Sequence, residues 1–286
     1  LTMSKLDAHA HFFLPGFAEI YPAATRRVQP DEVTLYAALA QQHAIRGVLA
    51  VGYEGMPWAV GNNGYLAQLA RQHAWIYPLA YAHDVAALTP AQLDDWQAQG
   101  FVGISLYLLD AAAAARLAAV SPAVWQALAD HRMLISVNGH ADCWQAWQPI
   151  LAQWPALRLL VSHLGLPLVA PAELDAAGAR QRLAALLALC HAPNVYVKLS
   201  GFYALAAPTH AYPHRDAWPY VEQIAQDFGV QRLLWGSDFS PALEHVSFVQ
   251  SVDLLEHMPY FSPAERQAIY GDTLAALLRT GVKRSE

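Results

Sequence analysis

Apolar residues gather into eight short segments along this chain, each followed by a longer stretch with helical character. The segments are Leu6–His11, Arg46–Gly52, Ile76–His83, Val102–Leu108, Met133–His140, Leu157–Gly165, Asn194–Gly201 and Arg232–Asp238. Their length and composition predict buried strands. The stretches between them carry helix start signals. Thr89-Pro90-Ala91-Gln92 and Ser262-Pro263-Ala264-Glu265 each set a capping hydroxyl, a first-turn proline and a Gln or Glu in capping-box order. Ser121-Pro122 opens another helix, and Asp31 is placed to cap Glu32–Ala44. The alanine-rich Ala111–Ala119 reads as helix rather than linker. Eight strand–helix alternations with no linker between them predict one α/β domain over residues 3–286, a (β/α)8 TIM barrel. An open doubly wound sheet is the runner-up. It lacks the glycine-rich loop expected after strand one, where His11 is followed by Phe12-Phe13-Leu14-Pro15.

The first strand has an unusual polar pattern. In "LDAHAH", Leu6, Ala8 and Ala10 alternate with Asp7, His9 and His11. Strict alternation puts a carboxylate and two imidazoles on one face, where burial demands partners, a metal or a substrate. Barrel active sites lie at the C-terminal ends of the strands, and further polar residues fall there. Strand three ends at His83, strand five at Asn138 and His140, and strand six at His163. Strand seven carries Lys198 and Ser200, then Tyr203, and strand eight ends at Asp238. Taken alone, His83 reads as a structural histidine. Lys198 is expected in an ion pair low in the barrel, and Asp7 either orients a histidine or pairs with backbone. Trp58, Trp144, Trp147 and Trp218 read as packing residues.

Composition narrows the function classes. The 286 residues are 55% hydrophobic and 14% charged, with 17 Lys plus Arg against 23 Asp plus Glu, net −6. That balance and the lack of a basic run argue against a nucleic-acid partner. Thirteen histidines favour a metal or acid–base site. Two cysteines, Cys143 and Cys190, make no disulfide framework. The start LTMSK has no apolar signal segment, and the longest apolar runs, near Ala111–Val120 and Leu183–Leu189, are too short to span a bilayer. The expectation is a cytoplasmic protein acting on a small molecule, without a membrane partner.

His9, His11, His163 and Asp238 form a set of three nitrogens and one carboxylate that suits zinc or another divalent ion such as manganese. Such an ion would polarise a carbonyl and acidify water. Without a metal, the histidines could donate to a developing oxyanion while Asp238 acts as general base. Both versions describe hydrolysis of an activated acyl bond. No G-x-S-x-G elbow supports a serine nucleophile, and "SHLGLP" is not a phosphate loop.

Motifs in order along the chain resemble the amidohydrolase superfamily, in the branch that holds 2-pyrone-4,6-dicarboxylate lactonase and sugar lactonases. "LDAHAH" resembles the strand-one D-x-H-x-H, and "GNNGYLAQLA" the Asn-bearing helix start after strand two. "ALRLLVSHLGLP" is similar to the strand-six H-x-G motif, "NVYVKLSGFY" to K-x-S-G, and "FGVQRLLWGSDFSP" to the G-[ST]-D-x-P ending of strand eight. The resemblance implies a distorted barrel of the metal-dependent hydrolase type and hydrolysis of a lactone or related ester. It carries carbonyl or metal binding onto His9, His11 and His163, and the role of base onto Asp238.

Departures refine this. Strand four, "GISLYLL", has Ser105 and Tyr107 but no bridging lysine, which argues against two metals. Decarboxylase relatives with one metal have a strand-five histidine, for which Asn138 and His140 are the nearest candidates. A mononuclear metal-dependent decarboxylase is therefore the alternative enzyme. Members that work without metal also exist. Strand four has no arginine before Arg116, so a neutral or mono-anionic lactone fits better than the dicarboxylate. Asn138, His140, Tyr107, Tyr203, His214 and Arg215 are the expected substrate-binding residues. Tyr53, Glu54 and Trp58 are candidates for stacking and hydroxyl binding. A non-catalytic ligand-binding barrel and a nuclease are further, less favoured readings.

Overall fold

The computed structural model describes residues 4–14 and 31–281. All eight strands form and pair in parallel in chain order: β1 Lys5–Ala10, β2 Ile45–Val51, β3 Ile76–Tyr81, β4 Gly103–Leu108, β5 Leu134–Gly139, β6 Arg158–Val161, β7 Val195–Leu199 and β8 Leu233–Trp235. Helices follow every strand, so the sheet curls into a nearly closed (β/α)8 barrel. Several strands stop short of the predicted ends. His11, His83, His163, Ser200 and Asp238 therefore stand in the first residues of the loops beyond the strands.

Local chemistry fixes the helix starts. Asp31 accepts from the amides of Val33 and Thr34 at 3.1 Å each and opens the helix Glu32–Gln42. Ser262 and Glu265 complete a reciprocal capping box, and Thr89 accepts from the Gln92 amide. The Asn-bearing start after β2 works differently. Asn62 donates to the Phe12 carbonyl at 2.8 Å and accepts from the Tyr53 amide. Asn63 holds both backbone groups of Tyr81. The first turn of the helix Asn62–Gln72 thus knits the mouths of β1, β2 and β3 together.

Two apolar layers result from strand alternation. Leu6, Ala8, Leu49, Leu79, Leu134, Leu160 and Leu234 pack with Leu274, Leu277 and Leu278 of the C-terminal helix Thr273–Gly281 and fill the lower barrel. Val48, Ala50, Ile104, Ile135, Val137 and Val197 face the surrounding helices. Arg158 and Arg132 donate to carbonyls of the C-terminal helix, which plugs the N-terminal end. Trp144, Trp147 and Trp218 are buried packing residues, as the sequence suggests. No helix among the described residues is long and apolar enough to cross a membrane.

Strict alternation fails on β1. Asp7 pairs with Val48 and Ala10 with Ala50, so three steps on β1 face two on β2. This bulge re-aims the strand. Leu6 and Ala8 join the inner layer, whereas Ala10 and Phe12 join the outer one. Asp7 contacts Tyr36 of the helix Glu32–Gln42, and His9 and His11 turn into the mouth.

Two glycines test this packing. A Cβ on Gly103 would lie 2.0 Å from the Leu134 carbonyl oxygen across the β4–β5 ladder, whereas one on Gly64, exposed in a helix, meets nothing within 4 Å. Gly103→Ala should lower unfolding free energy by roughly 2–3 kcal/mol. Gly64→Ala should raise it by about 0.5–1 kcal/mol. Urea unfolding of the two variants checks both signs.

Candidate active site

The β1 bulge places His9 and His11 opposite Asp238, which follows the last strand. Their Nε2 atoms lie 3.2 Å apart, and Asp238 Oδ1 lies 3.6 Å from the first and 3.8 Å from the second. All three side chains are buried. Donors about 2.0–2.1 Å from a tetrahedral zinc stand about 3.3 Å from one another, so this triangle fits a divalent ion with an open position. His11 is oriented for that role. Its Nδ1–H donates to the Val51 carbonyl at 2.9 Å, which leaves the Nε2 lone pair facing inward. Asp238 has φ of 56°, and its amide donates to the His9 carbonyl at 2.8 Å. Its second oxygen, Oδ2, accepts from the Tyr203 hydroxyl at 2.7 Å, so Oδ1 is left for the histidines.

His9 rests on a polar floor. Its Nδ1 lies 3.2 Å from Lys198 Nζ and 3.4 Å from Ser162 Oγ, and Lys198 donates to Ser136 Oγ at 2.7 Å. An ammonium there donates to Nδ1 and sends the ring hydrogen to Nε2. A hydroxyl acceptor does the reverse and frees Nε2 as a ligand. Lys198 is thus part of the site rather than an ion-pair partner low in the barrel, which corrects the sequence expectation. Its position in phase with Ser200 was the available signal. The contact with His9, 189 residues away in the chain, was not visible.

Burial dominates the electrostatics. It pushes His11 down to about 4 and, with the Lys198 charge, His163 down to about 3; His9 is also held low. The imidazoles are therefore neutral near pH 7, the form that binds metals or donates a single N–H. Burial lowers Lys198 to about 7 against the pull of Asp7 and Asp238, and raises Asp238 against His11 and Tyr203.

His163 stands beside His9, with ring centroids 4.5 Å apart. Its Nδ1 meets Ser200 Oγ at 3.0 Å. It begins a run of four positive-φ residues, His163, Leu164, Gly165 and Leu166. Non-glycine residues enter this region at a cost, and the Trp144 indole anchors the turn by donating to the Gly165 carbonyl. Among the described residues the donors that converge within 4.8 Å are His9, His11 and Asp238, and His163 stands next to that group.

Aromatic residues form the opposite wall. Phe13 stacks on His11, and contacts run from Phe13 to Trp58, Trp58 to Tyr53, and Tyr53 to Tyr107 and Tyr81. Tyr107 lies near the Asn138 side chain, whose buried Oδ1 has no hydrogen-bond partner among the described residues. The other expected binding residues fall elsewhere. His140 is exposed beyond β5, and Arg215 is exposed over the Trp218 ring. His214 is buried between Phe202 and Tyr212, its Nδ1 without a hydrogen-bond partner among the described residues. His83 is largely exposed, 3.7 Å from Glu54. The alternation rule that grouped His140 with Asn138 ends where β5 ends, at Gly139.

The amidohydrolase family profile matches residues 6–280. The chain belongs to the amidohydrolase family. Two L-fucono-1,5-lactonases are similar to parts of it. That of Burkholderia ambifaria is 36% identical over 30% of this chain and 28% of its own length. That of Burkholderia multivorans is 32% identical over 45% of each. The chain thus matches less than half the length of either. Among solved structures, an amidohydrolase from Burkholderia multivorans with bound zinc shares the fold, with TM-score 0.78, 22% identity, and coverage of 96% of this chain and 99% of that one.

Burial lowers the His214 imidazole from the ordinary 6.5 to about 4, helped by His245. The unfolded chain takes up this proton near pH 6.5 and the folded chain near pH 4. The stability it contributes is therefore full above pH 6.5 and is lost as pH falls towards 4. Between pH 7 and pH 5, His214→Asn should lose about 2 kcal/mol less than the parent, measured by urea unfolding at each pH.

Proposed function

We propose that this amidohydrolase opens a lactone by attack of water at the barrel mouth. The observation that carries this reading is the buried His9–His11–Asp238 triangle, with neutral imidazoles facing a carboxylate held by Tyr203. Asp238 takes a proton from water as the water oxygen bonds to the carbonyl carbon. His163, with the Ser200 hydroxyl donating to its Nδ1, presents an Nε2–H to the carbonyl oxygen as negative charge develops. When the ring C–O bond breaks, Asp238 returns the proton to the departing oxygen, giving the hydroxy acid.

The donor set favours one divalent ion, zinc or manganese, held by His9, His11 and Asp238 with His163 alongside. When bound, such an ion supplies Lewis acidity to the carbonyl and lowers the pKa of water. The ring wall of Phe13, Trp58, Tyr53 and Tyr107 offers apolar surface to one face of a ring, and Asn138 Oδ1 offers an acceptor to a hydroxyl. With Arg215 over Trp218 and His214 neutral, a neutral or mono-anionic substrate fits. The partial likeness to two L-fucono-1,5-lactonases supports a sugar lactone.

Proton release in weak buffer, measured across sugar and unsaturated lactones with and without zinc or manganese, tests the reading. The parent should hydrolyse at least one lactone. Asp238→Asn should lose roughly 10²–10⁴-fold in kcat with an unchanged circular dichroism spectrum. Near-parental turnover by that variant would overturn the mechanism. Carbon dioxide release from an aromatic acid, with no lactone opened, would favour the decarboxylase instead.

A further inference from the structure

The triangle of His9, His11 and Asp238 straddles the joint where the barrel closes. β8 is three residues long, and among the described residues the one bridge to β1 joins Ala10 to Phe239, four residues past the end of β8. Two backbone bonds cross this seam near the site, from Asp238 N to His9 O and from His11 N to Phe239 O. The distance between the two halves of the donor set is therefore the distance across the least-laddered joint in the barrel.

One buried side chain bridges it. Asp7 Oδ1 accepts from the His9 amide at 3.0 Å on β1 and from the Ser237 amide at 2.9 Å on the far side. Its Oδ2 accepts from Ser237 Oγ across the seam and from Tyr36 OH, at 2.8 Å, on the helix Glu32–Gln42. The carboxylate touches neither imidazole. It holds the backbone of one donor and the residue immediately before another. Gly236 leaves no slack beside it, because a Cβ there would lie 2.8 Å from His9 Cβ.

We infer that Asp7 is a positioning residue whose bonds to Ser237 set the spacing between the His9 and Asp238 donor atoms across the barrel seam. The inference rests on the donor-set reading proposed above. Its partners separate a positioning role from simple support of the fold. Ser237 lies across the seam, whereas Tyr36 binds the same carboxylate oxygen without crossing it. Both are buried, and each donates one hydroxyl hydrogen bond to that oxygen.

Ser237→Ala and Tyr36→Phe can therefore be compared with the parent in zinc affinity, by competition with a chromophoric chelator, and in amide exchange of peptides covering residues 9–13 and 236–240. Ser237→Ala also strips the acceptor of the Phe239 amide, so Ser237→Cys, which keeps a weak donor, gives the smaller perturbation. The expected result is a zinc dissociation constant raised about 10–100-fold in Ser237→Ala, with seam exchange roughly tenfold faster. Ser237→Cys should lie between, and Tyr36→Phe should stay within about twofold of the parent in both readouts, even with a similar loss of melting temperature. Equal effects of the two hydroxyl deletions, or no change at the seam, would overturn the inference. If the parent takes up no zinc while Ser237→Ala still loosens the seam selectively, the clamp stands and the metal reading falls.

Discussion

Burying a cluster of ionisable groups at the mouth of an apolar barrel is the constraint around which this structure is arranged. Three imidazoles, two carboxylates and a lysine lie out of water within a few residues of the strand ends. Each needs a hydrogen-bonding partner or a shift to its neutral form. Four of the six have a serine partner. Ser136 receives Lys198, Ser162 faces His9, Ser200 faces His163 and Ser237 binds Asp7, while Ser105 bonds the Gly52 carbonyl beside them. They sit on or directly after five consecutive strands, β4 to β8, and all are buried. A serine is short enough to lie under a ring without filling the barrel, and its hydroxyl donates or accepts as the ring above requires.

The same constraint explains why charge is scarce inside. With the imidazoles held neutral, the charges left to balance are the two carboxylates and Lys198. Asp238 and Asp7 both act to keep the lysine charged while burial opposes them. None of the three makes a direct ion pair with another in the described contacts. Their compensation comes from neutral donors and acceptors, which leaves the polar floor without a rigid ionic lock.

Much of this was legible in the chain. All eight strands were visible because a barrel strand buried on both sides reads as a short apolar run, and capping chemistry marked several helix starts. His9, His11, His163 and Asp238, which the structure brings together, were singled out because each lies at or near the end of such a run. The failures share a cause, in that alternation holds only while the ladder is regular. The β1 bulge leaves no mark in "LDAHAH", so Asp7 was grouped with the histidines although it faces Tyr36 and Ser237. β5 ends at Gly139, one residue before His140, which alternation had grouped with Asn138. Lys198 was misplaced because its partners lie on β1 and β5, and nothing local in "VKLSG" names them. The aromatic wall was only partly anticipated, since it joins residues from β3 and β4 with loops after β1 and β2.

That wall and the polar floor divide the barrel by position. β1 and the strand ends from β6 to β8 supply the histidines, Lys198 and Asp238, whereas Tyr53, Trp58, Tyr81 and Tyr107 come from the β2, β3 and β4 side. Phe13, stacked at 5.5 Å on His11 and meeting Trp58 at 5.1 Å, joins the two halves. Asn62 holds that junction by bonding the Phe12 carbonyl and the Tyr53 amide together. A change of ring identity along the wall can therefore alter what lies against it while the bonds that orient His11 stay intact. The reverse does not hold. His11 is fixed from behind by the Val51 carbonyl on β2, the strand from whose end Tyr53 and Trp58 emerge. A shift of β2 must move both the ligand atom and the wall, which makes β2 the element through which the two halves are mechanically coupled.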